Sequence, residues 1–330
     1  MRPHARIAVA LFAAAGALIP AAASARLTGH LFVGRTTRPY GILQFPLNDG
    51  IPSSTPDFIY PGHFNNIAAG PDGSVYGVHW RDQQLVVFAP NNSVPQRRIY
   101  FPANIPGCSG PYVGPTLIGG LAVNRLGDLF VAYTTYVSGL RSTPARLRIR
   151  RAVTYPCIGV VAFGAHASGY AQPKAAIPLA GPYLNGVTVD TDRLLYVANS
   201  YFDRVQEFAD PGSHPRGVGY LTVGMTYPQA LATDPEENLY ELDGGLLTKS
   251  GVNVYAPGSG EHSPPASTIT FESGYNWVED IAVRGDFLYA SDINYHSGRS
   301  IDVYAAKANG PTAPLFSLPL KGVWYIAAGP

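Results

Sequence analysis

One apolar tetrapeptide recurs along this chain, as Ile67-Ala-Ala-Gly, Leu121-Ala-Val-Asn, Val187-Thr-Val-Asp, Leu231-Ala-Thr-Asp, Ile281-Ala-Val-Arg and Ile326-Ala-Ala-Gly. Each copy but the last is followed by a turn and a second apolar box: Val75-Tyr-Gly-Val, Leu129-Phe-Val-Ala, Leu195-Tyr-Val-Ala, Leu239-Tyr-Glu-Leu and Leu288-Tyr-Ala-Ser. A third box alternates and ends on an aromatic ring, at Phe88, Phe163, Phe208, Tyr255 and Tyr304. A weaker fourth follows a Pro-rich turn, at Arg98-Ile-Tyr, Ala176-Ile, Gly219-Tyr-Leu, Thr268-Ile and Leu315-Phe. Four short strands per unit, repeated at tens of residues, is the pattern of a propeller blade.

The last box, Ile326-Ala-Ala-Gly-Pro330, repeats Ile67-Ala-Ala-Gly-Pro71 word for word but has no strands after it. The missing strands sit near the N-terminus as Leu31–Gly34, Ile42–Phe45 and Phe58–Tyr60. The pattern therefore predicts an all-β ring of six four-stranded blades, the last blade taking its first strand from Tyr325–Ala328 and its other three from the N-terminal side. Closing the ring this way pairs edges that would otherwise invite aggregation. An open array or solenoid has no need of matching half-units at its two ends. The interval from Leu121 to Val187 exceeds a normal blade by about 20 residues, too few for a further blade of roughly 40, and reads as an insertion.

Composition agrees with this reading. Gly (36), Pro (30) and Tyr (21) are abundant and only 14% of residues are charged, which favours short strands and many turns. A net charge of +1 gives no reason to expect a nucleic-acid partner. Residues 1–25 read as a secretory signal: basic Arg2, His4 and Arg6, an apolar run from Ile7 to Ile19, and small residues at Ala21–Ala25. That run is too short to span a bilayer. The expectation is a cleaved leader, a single propeller domain over residues 26–330, a secreted or periplasmic location and a monomer. Two cysteines in an exported chain, Cys108 and Cys157, are expected to form a disulfide.

In a propeller the loops before the first strand and between the second and third strands share one face, around the mouth of the central channel. The first set brings Asn65, Asn66, Asn185, Gln229, Glu279, Asp280, Trp324 and Tyr325 to that mouth. The second adds His79, Trp80, Arg81, Asp82, Tyr133, Asn199, Asp243 and Asp292. Asn65, Asn185, Glu279 and Asp280 are oxygen donors of the kind that hold Ca²⁺ or another divalent cation, or else polar groups lining a water-filled mouth. His79 and His296 are the histidines on this face, candidates for acid–base work or plain surface residues. No Gly-x-Ser-x-Gly elbow occurs.

The boxes, best seen in Val187-Thr-Val-Asp190 with Leu195-Tyr-Val-Ala-Asn199, resemble the repeats of NHL-type six-bladed propellers, and Val252-Asn-Val-Tyr-Ala-Pro-Gly-Ser259 is similar to repeats in exported bacterial members of that group. Gluconolactonase-like propellers hold a divalent metal with a comparable Glu/Asn/Asn/Asp set. Virginiamycin-lyase-like propellers use a His with a divalent cation, a role that the resemblance would give to His79 or His296. A fold shared by enzymes and interaction modules does not choose between them.

The insertion in the second blade, residues 139–157, carries Arg141, Arg146, Arg148, Arg150 and Arg151, and alternates partly from Leu147 to Val153. An extra hairpin strand pinned beside the mouth by a Cys108–Cys157 bridge is the expected form. Five arginines there fit capture of an anion, whether a small molecule, an acidic glycan or an acidic protein surface, or else a solvated strand edge that blocks pairing. With Trp80, Trp324 and Tyr325 they make a binding face, and the leading expectation is a binding module. The alternative is a divalent-metal-dependent hydrolase or lyase working at the mouth.

Overall fold

The computed structural model describes residues 27–38, 40–79, 81–82, 84–102, 105–108, 116–141, 151–181, 184–191, 194–244, 250–272, 276–294 and 298–330. Its strands, in chain order, begin with β1 (His30–Arg35), β2 (Gly41–Asn48), β3 (Ile51–Pro52) and β4 (Phe58–Pro61). They continue as β5 (Phe64–Ala69), β6 (Val75–His79), β7 (Leu85–Phe88), β8 (Pro95–Ile99), β9 (Leu117–Val123), β10 (Leu129–Arg141), β11 (Arg151–Phe163) and β12 (Ala175–Leu179). Next come β13 (Val187–Val189), β14 (Leu194–Asn199), β15 (Arg204–Ala209), β16 (Arg216–Leu221), β17 (Pro228–Thr233), β18 (Leu239–Asp243), β19 (Gly251–Tyr255) and β20 (Ser267–Phe271). The last are β21 (Asn276–Arg284), β22 (Phe287–Asn294), β23 (Gly298–Ala305), β24 (Gly310–Thr312), β25 (Phe316–Pro319) and β26 (Val323–Gly329).

Five blades follow the chain in order: β5 to β8, β9 to β12, β13 to β16, β17 to β20, and β21, β22, β23 with β25. The sixth is β26-β1-β2-β4, with Val33 opposite Ile326 and Leu43 opposite Ile59. The innermost strands β26, β5, β9, β13, β17 and β21 pack on one another in cyclic order, so the ring closes. This six-bladed β-propeller is the fold that the boxes predict, down to the N-terminal completion of the last blade. β24 is an addition: it pairs parallel to β20 on the outer edge of the fourth blade.

The side chains of a strand point alternately to its two faces, and each blade therefore buries one set against the blade before it and one against the blade after. Six apolar clusters result, one in each wedge between neighbours. The recurring large–small start of the first box has its reason here. Ile281 joins Ala232 in one wedge, Ile326 joins Ala282 in the next, and Ile67 joins Ala327 in the wedge that seals the ring. Close to the axis two large side chains would collide, and large against small is what fits. The tyrosines at the second position of the second box are buried in the wedges. Tyr196 and Tyr240 donate from their hydroxyls to Asp190 and Asp234, which also hold the following turns through the Leu194 and Asn238 amides.

In the second blade the middle strands overrun. The β10–β11 ladder runs from Leu129 opposite Phe163 to Arg141 opposite Arg151, whereas β9 reaches only Thr134 and β12 only Ile158. Beyond those points Thr135–Arg141 and Arg151–Cys157 form a two-stranded ribbon, about 20 Å long at the rise of a strand. Arg151 to Val153 are thus part of the extra hairpin strand expected of the insertion. Arg146, Arg148 and Arg150 lie outside the described residues.

Candidate functional site

Six inner strands converge on an axial cavity of about 490 Å³ whose wall is made of the first boxes. At one end of it the ladders slip. The pairing of first with second strand skips Asn66, Gly119, Gln229, the pair Glu279 and Asp280, and Trp324, a bulge in five of the six blades. A bulge places an extra residue on one strand and re-aims a side chain. Asn66 takes a left-handed backbone, φ 50°, to do so. At Gly119 a Cβ would stand 2.3 Å from the Leu184 carbonyl oxygen, so only glycine lets the second and third blades approach.

Side chains at this end stitch several blades to their neighbours. Asn66 Nδ2 donates to the Ile118 carbonyl (3.1 Å). Asn185 Nδ2 donates to Ser200 Oγ (2.5 Å), and that hydroxyl donates to the Pro228 carbonyl (2.6 Å). Gln229 Nε2 donates to the carbonyl and to Oε2 of Glu279, at 3.2 and 3.3 Å. Asp280 accepts the Ile326 amide at Oδ2 and the Ile281 amide at Oδ1, both at 2.9 Å. Ser291 Oγ receives the Asp280 amide and donates to the Trp324 carbonyl (3.0 Å). Asp280 and Ser291 thereby hold the terminal strand β26 to the fifth blade.

Two adjacent carboxyls, Glu279 and Asp280, stand at the mouth. Burial drives the Asp280 carboxyl up to about 7 against its two amide donors, with the neighbouring Glu279 adding to the rise. Glu279 is raised by burial, an effect opposed by Arg299 and by hydrogen bonds from Gln229 and Trp277. Burial, then Glu279 and Asp280, pushes the Tyr325 hydroxyl to about 12. Arg299 stacks over the Trp324 ring at 4.8 Å and donates to the Val323 carbonyl (3.2 Å).

The residues expected at the mouth are brought together only in part. Asn66, Asn185, Gln229, Glu279, Asp280 and Tyr325 line the cavity. Asn65 is instead paired with Val78 in the ladder, one residue away from the re-aimed Asn66. His79 bonds through Nδ1 to Asp82 Oδ1 (2.8 Å) at the end of its strand. The other second-strand ends serve their own leading loops. Asp243 accepts from the Thr226 and Tyr227 amides, Asn199 donates to the Ala180 carbonyl, and Tyr133 meets the Cys108 sulfur at 3.7 Å. Trp80 and His296 lie outside the described residues. No group of three or more His, Cys, Asp or Glu suited to a metal ion occurs among the described residues.

The Cys108–Cys157 disulfide is present, with its Cα atoms 5.8 Å apart. Cys157 sits opposite Thr135, in the first pair of the free ribbon. The bridge therefore ties the root of the ribbon to the loop that leads into its own blade. Second strands run toward the mouth in every blade, and the ribbon consequently projects from the mouth face. Ser200, Ser291 and Arg299 are parts of this face that the sequence pattern did not single out. Ser291 closes its second box and Ser200 stands two residues past its own, so no shared register marks them.

No protein-family model matches the chain, and no curated protein does. Solved structures do resemble it. A chain of a nidogen/laminin complex is 14% identical, over 91% of this chain and 97% of its own, at a TM-score of 0.59. A Bacteroides caccae protein of unknown function is 10% identical over 91% and 98%, at 0.58. A provisionally assigned 6-phosphogluconolactonase from Bacteroides fragilis is 14% identical over 92% and 98%, at 0.57. At such identities the likeness is one of fold.

Proposed function

We propose that this chain is an exported binding module that takes an anionic partner, an acidic glycan or an acidic protein surface, on the face shared by the channel mouth and the β10–β11 ribbon. One observation carries the reading: a disulfide anchors a ribbon that leaves the blade on the mouth side and ends with Arg141 opposite Arg151. A two-stranded ribbon alone is marginal in water, and covalent anchoring at its root favours a purpose for the tip. The remaining arginines of the insertion, Arg146, Arg148 and Arg150, would extend the basic surface, with Trp80, Trp324 and Tyr325 beside it. The disulfide supports an oxidising compartment, and the fold recurs in a nidogen/laminin complex, a protein–protein assembly.

The use of the mouth polar groups supports binding over catalysis. Both oxygens of Asp280 are spent on backbone amides, Glu279 accepts from Gln229 of the fourth blade, and Asn185 is held by Ser200 of its own blade. For a divalent cation Asn65, Asn185, Glu279 and Asp280 would have to turn to one point, and Asp280 fits a structural post better than a ligand. The metal-dependent hydrolase remains the second reading because raised carboxyls gather at functional sites and a lactonase-like protein shares the fold.

Retention on immobilised polygalacturonate at rising salt tests the first reading. The chain is expected to bind, and a variant with serine at Arg141, Arg146, Arg148, Arg150 and Arg151 to pass through. Gluconolactone hydrolysis that needs added Ca²⁺ or Mg²⁺ and stops with a chelator, without polygalacturonate retention, would install the second.

A further inference from the structure

A second cavity, of about 520 Å³, lies in the wedge between the third and fourth blades, away from the mouth. Tyr196, Glu207 and Gly219 face it from the third blade, and Glu237, Tyr255 and Glu261 from the fourth. Among the described residues no Lys, Arg or His lines it; the nearby Arg204 stacks on the Tyr220 ring at 5.1 Å. The key group is Glu207. It is only 9% exposed, and no other described residue gives its carboxylate a hydrogen bond or ion pair. Burial raises the pKa of Glu207, and the Asp190 carboxylate adds to the rise. A Cβ on Gly219 would meet Glu207 Oε2 at 2.9 Å, so the glycine opposite keeps the carboxylate in place over the strand.

A largely buried carboxylate with no partner among the described residues is left to solvent or to a ligand in the groove. The neighbouring acids do not relieve it. Glu237 accepts from the Thr191 hydroxyl, and Asp190 from Tyr196. The acids are too spread to chelate a metal, since no three of them form an ion-binding group among the described residues. The walls carry Leu194, Leu239 and the Tyr196 and Tyr255 rings, apolar and aromatic surface that suits an aliphatic stem and a cation beside an aromatic face. The volume is that of a small-molecule site.

We infer that this groove binds a primary ammonium carried on an aliphatic stem, with Glu207 as its counter-ion. The same chemistry comes from a free alkylamine or from a lysine side chain of a partner. Calorimetric titration of the whole chain with n-pentylammonium and with Nα-acetyl-lysine amide separates the two, with n-pentanol and CaCl₂ as controls. One or both amines should bind in the millimolar range or tighter, and n-pentanol should not. Glu207→Gln should weaken the amine about tenfold or more, the loss of one charge-assisted bond. It should leave the thermal midpoint equal to or above the parent's, which rules out misfolding as the cause. Gly219→Ala should weaken it too, by displacing the carboxylate. Equal binding of n-pentanol, an unaltered affinity in Glu207→Gln, Ca²⁺ binding in place of the amines, or no heat with either amine would each overturn the inference.

Discussion

The sixth blade and the second blade both break the four-strand rule, in opposite senses. In the sixth, the chain is interrupted: β26 comes from one end of the sequence and β1, β2 and β4 from the other, and the facing edges of β26 and β1 are paired. Val323 and Ile326 are buried, Ile326 donates its amide to Asp280, and the wedges on either side are filled. In the second, the chain is extended: β10 and β11 run past their neighbours as a ribbon with both outer edges unpaired by their own blade. One departure is absorbed into the ring and the other is held out from it. The difference teaches that continuity of sequence is not what makes a blade stable here, while length beyond the blade adds little to the ring and is free to serve recognition.

The comparison can be broken in several ways, and the largest effect should come from the clasp. Deleting the last seven residues removes most of β26, its ladder with β1, and Ile326 and Ala327 from the wedges on either side. That loss exceeds the roughly 5–15 kcal/mol by which a domain is stable, so circular dichroism should report an unfolded or aggregated chain. A soluble, cooperatively melting product would show that the ring does not depend on its clasp. Next in size is the disulfide. With the cysteines 49 positions apart in sequence, replacing both by serine should cost about 4 kcal/mol in the chain-entropy model, read by denaturant unfolding. Asp280→Ala comes third. It strands the Ile281 and Ile326 amides, and about 3 kcal/mol is expected from two unpaired donors.

A smaller, graded effect follows from the buried acids. Asp280 and Asp292 are pushed up to about 7, in both cases chiefly by burial and in Asp292 also by Asp302; Glu241 is pushed to about 8, again by burial. Because these folded values lie above the unfolded ones, the stability that they contribute is fully present in acid. It is lost as pH rises from the ordinary carboxylate range through about 7 to 8. Melting temperature should therefore fall on going from mildly acid to mildly alkaline buffer, and Asp292→Asn should flatten part of that slope. A midpoint that rises over the same window would contradict the assignment.

Much of the ring was legible because its information is local. Alternation marks a strand, the aromatic at the end of each third box marks the blade, and the verbatim Ile326-Ala-Ala-Gly-Pro identified the clasp. β24 was not legible: a three-residue parallel pairing at Gly310–Thr312 leaves no periodic trace. The mouth was readable only to within a residue. Bulges insert an extra position without changing composition, which is why Asn65 was named as a channel donor where the backbone turns Asn66 inward. Nothing in the Gly219-Tyr-Leu box told of the groove, since an unpaired Glu207 emerges only when two blades meet.

The smallest expected effect on stability is also the most direct test of the account. Joining Tyr136 to Pro156 by an Asn-Gly turn removes the ribbon tip and keeps the disulfide and all four strands of the blade. Thermal unfolding and polygalacturonate retention should then be measured on one preparation. The account predicts a melting temperature within about 2–4 °C of the parent's, the shift that ~1 kcal/mol gives in a domain of comparable size, together with loss of retention. A trimmed chain that still binds, or one that unfolds, would contradict it.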